Sequence, residues 1–183
     1  MNICVYGAAS NDIHPQYLAE GEALGLEMAR RGHSLIFGGG ANGLMGAVVR
    51  GITAGGGESI GIVPSFFNVD GALYPDCTQL IYTATMRERK QMMEEKADAF
   101  ILTPGGIGSF DEFFEILTLR SLGRHNKPIA ILNTRGYYDS LSDLMTRAAT
   151  EGFLVKEKLS LAPFFADVCQ LLDWLEETAA EQE

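Results

Sequence analysis

No apolar run in this chain approaches the ~18 residues that cross a bilayer, so no membrane-spanning segment is expected. Cysteine is sparse. Cys4, Cys77 and Cys169 are odd in number, far apart and without metal-ligand spacing, which sets aside a disulfide framework and a zinc site and leaves three reduced thiols as the expectation. The three histidines, His14, His33 and His125, are equally scattered, and are expected as surface or capping residues rather than as ligands or bases. No metal or cofactor is indicated. Cations are outnumbered, 14 Lys and Arg against 24 Asp and Glu, for a net charge of −10. A nucleic-acid polymer or an anionic membrane, both of which need a basic face, is therefore not the expected partner. A small anion is not excluded, because screening confines charge repulsion to about 8–10 Å. Met1-Asn2-Ile3-Cys4-Val5 enters a strand with no basic leader, and the expected location is cytoplasmic.

What is present is apolar content of 46% over 183 residues, enough for one sizeable core and a single domain over 1–183. Short β-prone runs at 3–6, 35–37, 59–63, 80–82, 97–102 and 129–132 alternate with helical patterns at 17–29, 44–54, 86–96, 110–122 and 137–150. A last extended piece is expected near 159–161 and a last helix near 164–177, with a frayed acidic tail over 178–183. That alternation predicts an α/β fold, a Rossmann-like three-layer sandwich with a parallel sheet of about six or seven strands. Residues 64–78 have no clear period and read as a surface loop, a candidate lid. Ligands in such folds bind beyond the carboxyl ends of the strands. Glycine-bearing loops at 7–10, 38–43 and 104–109 all follow strands and fall on that edge. Gly38-x-Gly40-x-x-Gly43 matches a dinucleotide pattern only loosely, since no acidic partner follows the next strand.

The richest stretch is Thr103-Pro104-Gly105-Gly106-Ile107-Gly108-Ser109-Phe110-Asp111-Glu112, read as strand end, glycine turn and helix start. Bare backbone there brings N–H groups to an anion, and a phosphate is the natural guest. The alternative is that Ser109-x-x-Glu112 is only a capping box. Three glycines in four positions exceed what capping needs, at ~0.5–1 kcal/mol each, and favour a ligand loop. A second element, Met86-Arg87-Glu88-Arg89-Lys90, is a basic island on an acidic chain. It reads either as a solvated helix face, with Lys90 paired to Glu94, or as the source of a guanidinium for the pocket. A phosphate loop, a carboxylate and an arginine together suit the cleavage of a sugar phosphate at its anomeric bond.

Pro104-Gly105-Gly106-x-Gly108-Ser109-x-x-Glu112 with Met86-x-x-Arg89-Lys90 resembles the LOG family of cytokinin riboside 5′-monophosphate phosphoribohydrolases, formerly mislabelled as lysine decarboxylases. Ser10 with Val5-Tyr6, Gly38-Gly39-Gly40-x-x-Gly43-Leu44-Met45-Gly46, Ile60-Gly61-Ile62-Val63-Pro64, Asn133-x-x-Gly136-Tyr137-Tyr138 and Glu151-Gly152-Phe153 are similar too. The resemblance implies a Rossmann-like homodimer that hydrolyses the N-glycosidic bond of an N6-modified adenosine 5′-monophosphate, or of AMP, to free base and ribose 5-phosphate. By position it implies Arg89 and Glu112 as the catalytic pair. Lys90, Gly105, Gly106, Ile107, Gly108, Ser109, Phe110, Asp111 and Thr118 fall at substrate-binding positions, although Thr118 alone reads as helix packing. The apolar helix residues Phe110, Phe113, Phe114 and Leu117 offer surface for the dimer. Ser109 stands where the family has Thr, Arg87 where it has His, and Gly7-Ala8 where it has Cys-Gly. Over residues 65–77 the likeness lapses, and Asp70 is the candidate there for the family's acidic contact. No segment supplies a pyridoxal phosphate lysine, so a decarboxylase is not expected. The competing function is a non-catalytic nucleotide or anion carrier of the same fold.

Overall fold

The β-branched and aromatic run Ile3-Cys4-Val5-Tyr6 lies at the centre of the sheet rather than at its edge. A computed structural model describes residues 1–67 and 71–181. β1 (Asn2–Tyr6) is flanked on one side by β2 (Ser34–Phe37), then β3 (Ser59–Pro64) and β4 (Gln79–Thr83). On the other side lie β5 (Ala99–Leu102), β6 (Ile129–Leu132) and β7 (Phe164–Phe165). The order is β4-β3-β2-β1-β5-β6-β7 and every pairing is parallel. Helices α1 (Pro15–Arg30), α2 (Gly43–Ala54), α3 (Met86–Lys96), α4 (Ile107–Ser121), α5 (Asp139–Thr150) and α6 (Val168–Ala180) make the crossovers and close the chain.

Alternation along the central strands divides them between two cores. Ile3, Val5, Ala99 and Ile101 pack with Leu24, Val48, Ile52 and Leu171 of α1, α2 and α6. Cys4, Tyr6, Phe100 and Leu102 pack with Met93, Phe113 and Ile116 of α3 and α4 and with Tyr138 ahead of α5. The sheet is thus the middle of three layers, the Rossmann-like sandwich expected from the run of strands and helices. Among the described residues no helix is long and apolar enough to cross a membrane.

Several local expectations are corrected. The last extended piece is not at 159–161, which lies in a 3-10 helix (Lys156–Leu161); the strand is Phe164–Phe165, where Pro163 holds Ala162 out of the helical region and its own carbonyl accepts the Ile131 N–H at 2.9 Å. The last helix starts at Val168, because the Asp167 side chain caps it by accepting the Gln170 N–H at 2.9 Å. It continues to Ala180, so residues 178–180 are helical rather than frayed, while 182–183 lie outside the described residues. Leu171, Leu172 and Leu175 are buried and anchor it. The described residues of 64–78 are not a free lid. After Pro64, the end of β3, comes a 3-10 turn (Ser65–Phe67), and Ala72, Leu73 and Tyr74 are stitched to the Gly39-Gly40-Ala41 backbone by an antiparallel β-bridge made of two hydrogen bonds of 2.9 Å. Asp70 lies outside the described residues. Of the aromatic run on α4, Phe110, Phe113 and Leu117 turn to the second core, and only Phe114 is exposed.

Candidate active site

From β1 the chain steps outward through β2 and β3 to β4, then returns to lay β5 against the opposite side of β1. At that reversal the loops leaving β1 and β5 part and open a crevice. It holds a cavity of about 580 Å³, within the ~300–1,000 Å³ typical of small-molecule sites. Residues 7–10 after β1, Gly38 and Gly40 after β2, and Gly106 and Gly108 after β5 line it.

The N-termini of α2 and α4 both reach this edge, and they are treated differently. At α2 the Gly43 N–H donates to Asn11 Oδ1 at 2.7 Å and the Met45 N–H to the Ala8 carbonyl at 3.1 Å, so the chain itself uses that dipole. At α4 the N-cap is Gly106, with no capping side chain and no acidic residue in the first turn. Among the described residues, the N–H groups of Gly106, Ile107, Gly108 and Ser109 have no protein acceptor. A Cβ on Gly106 or Gly108 would meet nothing within 4 Å, so the cavity reaches bare backbone there. Uncapped amides, aligned with the helix dipole, are arranged to receive an anion. The capping-box alternative for Ser109 and Glu112 is overturned, because α4 begins at Ile107 and Ser109 already lies in its first turn.

The box that does form is at α3. Thr85 Oγ1 accepts the Glu88 N–H at 3.2 Å, while Glu88 Oε2 accepts from Ala84 N at 2.8 Å and Thr85 N at 3.3 Å. This fixes the first turn from which Arg89 projects. The Arg89 guanidinium passes over Gly38, where any Cβ would collide with its terminal nitrogen. Its Nε donates to the Ile62 carbonyl at 3.1 Å and its Nη1 to Glu112 Oε1 at 2.7 Å. Both partners of this ion pair are largely buried, with side chains 13% and 12% exposed. Burial pushes the Glu112 carboxyl above its ordinary value; Arg89 pulls the other way and does not win. Beneath them, burial drives the Cys4 thiol and the Tyr6 hydroxyl upward, so each stays neutral.

The cavity brings together Arg89, Gly106, Gly108, Ser109, Asp111 and Glu112. Lys90, Gly105, Ile107, Phe110 and Thr118 do not line it. Lys90 is bound to Asp111 at 3.1 Å and Glu115 at 2.5 Å across the α3–α4 contact, not to Glu94. Gly105 lies beneath Ser109, whose hydroxyl a Cβ on Gly105 would strike. Phe110 packs edge-on to Tyr138 in the core, and Ile107 points outward at 86% exposure. Thr118 is exposed on α4, about 16 Å along the axis from Ile107 at 1.5 Å per residue. Arg87 is exposed and keeps the role of a solvated residue. The apolar end of the cavity is formed by Met45, Val63, Pro64, Phe67, Met86 and Met93, none of which the sequence marked as the wall of a pocket. Its signal was there. Met86, Arg89 and Met93 stand at i, i+3 and i+7 and so share one helix face, a pattern masked by the charges around them. Among the described residues no group of His, Cys, Asp and Glu is arranged to hold a metal ion.

Comparison with known proteins follows the same lines. The family model described as possible lysine decarboxylase matches residues 45–175. The cytokinin riboside 5′-monophosphate phosphoribohydrolase LOG2 of Arabidopsis thaliana is 35% identical over 175 residues, covering 96% of this chain and 82% of that protein. The cytokinin riboside 5′-monophosphate phosphoribohydrolase of Mycobacterium marinum is 38% identical over 152 residues, 83% of this chain and 81% of its own length. Among solved structures, the molybdenum cofactor carrier protein of Chlamydomonas reinhardtii superposes with a TM-score of 0.75 at 21% identity, over 98% of both chains, a likeness of fold. With that coverage and identity, and with the Pro-Gly-Gly loop and its carboxylate at the sheet's switch point, this chain belongs to the LOG family.

Proposed function

We propose that the protein hydrolyses the N-glycosidic bond of an adenosine 5′-monophosphate, AMP or its N6-modified form, to free base and ribose 5-phosphate. The observation that carries this reading is the largely buried Arg89–Glu112 pair set in one cavity with the open N-terminus of α4. The four free amides and the dipole hold the 5′-phosphate. The ribose then lies over Glu112, and the base extends toward Met45, Met86 and Phe67. When C1′–N9 breaks, its electron pair leaves with N9 and positive charge spreads over C1′ and the ring oxygen. The Glu112 carboxylate, held by Arg89, stabilises that charge without reorganising. Two of the five guanidinium N–H groups are committed to Ile62 and Glu112, which leaves others to donate to the departing base. Water adds at C1′ and gives up its proton to Glu112. The raised basicity of that carboxylate suits the step, and the proton passes on to the nitrogen of the base.

The protein acts as a homodimer in this reading. Ile107, Phe114 and Leu122 make an exposed apolar stripe along α4, at 86%, 42% and 64% exposure, with Thr118 between the last two. A second copy seated there brings Thr118 to an interface. The deciding experiment incubates the purified protein with AMP, N6-isopentenyl-AMP and adenosine and measures free base. Release from the nucleotides and little from adenosine is expected. Tight nucleotide binding with no base released would return the site to a carrier's role, and equal turnover of adenosine and AMP would remove the phosphate from the α4 N-terminus.

A further inference from the structure

The turn after β6 has no part in the site described above, yet it reaches into the phosphate loop. Asn133 Oδ1 accepts the Tyr138 N–H at 2.7 Å, and Asn133 Nδ2 donates to Asp139 Oδ1 at 2.7 Å. Arg135 and Gly136 both take positive φ, 58° and 70°, and a Cβ on Gly136 would fall 2.5 Å from Asp139 Oδ2. The turn is therefore tightly specified, and it delivers two consecutive tyrosines to one strand end. Tyr138 Oη donates to the Thr103 carbonyl at 2.8 Å, and Tyr137 Oη to the Gly105 carbonyl at 2.7 Å.

These two hydrogen bonds differ in what lies across the peptide. In a trans peptide the C=O and the following N–H point in opposite directions. The peptide after Thr103 leads into Pro104, which has no N–H, so the Tyr138 bond can only anchor the chain. The peptide after Gly105 carries the Gly106 N–H. Tyr137 does not line the cavity and Gly106 does, so a carbonyl drawn to Tyr137 turns the Gly106 N–H toward the anion subsite. Glycine on both sides of that peptide leaves its plane free to rotate unless something holds it.

We infer that Tyr137 is a positioning residue for phosphate recognition: its hydroxyl fixes the Gly105–Gly106 peptide so that the Gly106 N–H donates to the phosphate. The inference rests on the reading that the α4 N-terminus takes the 5′-phosphate, not on turnover. Its ring packs edge-on to Tyr17 and Tyr138, with centroids 6.0 and 4.8 Å away, so Tyr137→Phe removes the hydroxyl and keeps the packing.

The test compares Tyr137→Phe, Tyr138→Phe and wild type by calorimetric titration with inorganic phosphate, AMP and adenosine, alongside melting temperature. Tyr137→Phe is expected to lose about 3- to 10-fold in affinity for phosphate and AMP, the worth of one oriented hydrogen bond. Its affinity for adenosine and its melting temperature should stay near wild type. Tyr138→Phe is expected to melt lower and to keep the wild-type preference for AMP over adenosine. An unchanged preference in Tyr137→Phe, or the same loss in both variants, would overturn the inference. A third measurement needs no variant: phosphate added to the 15N-labelled wild-type protein should shift the Gly106 amide, and an unmoved Gly106 resonance also overturns it. If the wild-type protein binds phosphate through Gly106 but releases no base from AMP, the proposed reaction fails and the role of Tyr137 stands.

Discussion

Replacing Glu112 by Gln tests the centre of the site, because it removes a charge and almost no volume. The Arg89 Nη1 to Glu112 Oε1 distance of 2.7 Å corresponds to a gross attraction of about 6 kcal/mol at an effective dielectric constant of 20. Loss of the carboxylate would cost that much only if its burial were free. It is not, since the carboxyl is held above its ordinary value, with desolvation the largest cause and Arg89 second. A carboxyl whose folded value is raised binds its proton more readily in the folded state. The stability this contributes is fully present below the ordinary value and is lost as pH rises through the raised one. At neutral pH the ionised group is thus a net cost to folding even with Arg89 beside it, and a neutral isostere that still accepts from Arg89 should leave stability within about 1 kcal/mol of wild type. Activity should respond far more. A preorganised charge facing a developing cation is worth about 10²–10³ in kcat, so Glu112→Gln should be folded, bind AMP as well as wild type or better, and release base at least ~100-fold more slowly. The assay pairs urea denaturation with chromatographic detection of adenine or N6-isopentenyladenine. A folded Glu112→Gln protein that turns over at the wild-type rate would refute both the catalytic role and the electrostatic reasoning behind it.

Arg89→Ala should retain the fold, since Glu112 can protonate, yet lose most turnover, whereas Arg87→Ala, exposed and outside the cavity, should change little; steady-state kinetics on the two variants separates them. The acid limb of kcat against pH should have its midpoint above the ordinary glutamate value of 4.5, because activity needs Glu112 ionised and burial raises its pKa; a limb at or below 4.5 would contradict this. Gly106→Ala should melt at or slightly above the wild-type temperature, since its φ of −101° suits any residue and a Cβ meets no protein atom. The methyl group projects into the subsite instead, and overpacking there by ~1–3 kcal/mol should weaken AMP binding roughly tenfold by calorimetry. Light scattering should give a dimer mass at micromolar concentration and a monomer for Phe114→Lys; a monomeric wild-type protein would discard the α4 stripe as an interface.

The layers of the fold were written locally. Short apolar runs punctuated by glycine and separated by amphipathic stretches specify parallel strands and crossover helices, since burying a strand on both faces demands continuous apolar sequence. Met86–Lys96 was legible to the residue from its run of charges between apolar strands, while the Thr85–Glu88 box that starts it emerged only in the structure. The glycine loop, Arg89 and Glu112 were visible as chemistry, for residue types that are costly unless used stand out without a structure. What the sequence could not decide were matters of direction and pairing between distant segments. Whether α4 began at Ile107 or Phe110 determined whether Ser109 capped the helix or lay inside it. Lys90 pairs with Asp111 and Glu115 on a neighbouring helix instead of Glu94 on its own, a pairing that exists only once the fold brings α3 and α4 together. Phe110 and Ile107, three residues apart, parted company when one faced the core and the other the solvent. The anchoring of Gly105 by Tyr137, 32 residues away, exists only once β6 lies beside β5. Local propensity and pattern set the elements, but the reversal of strand order at β1 and β5 gathered separate loops around one cavity, and long-range packing alone produces that reversal.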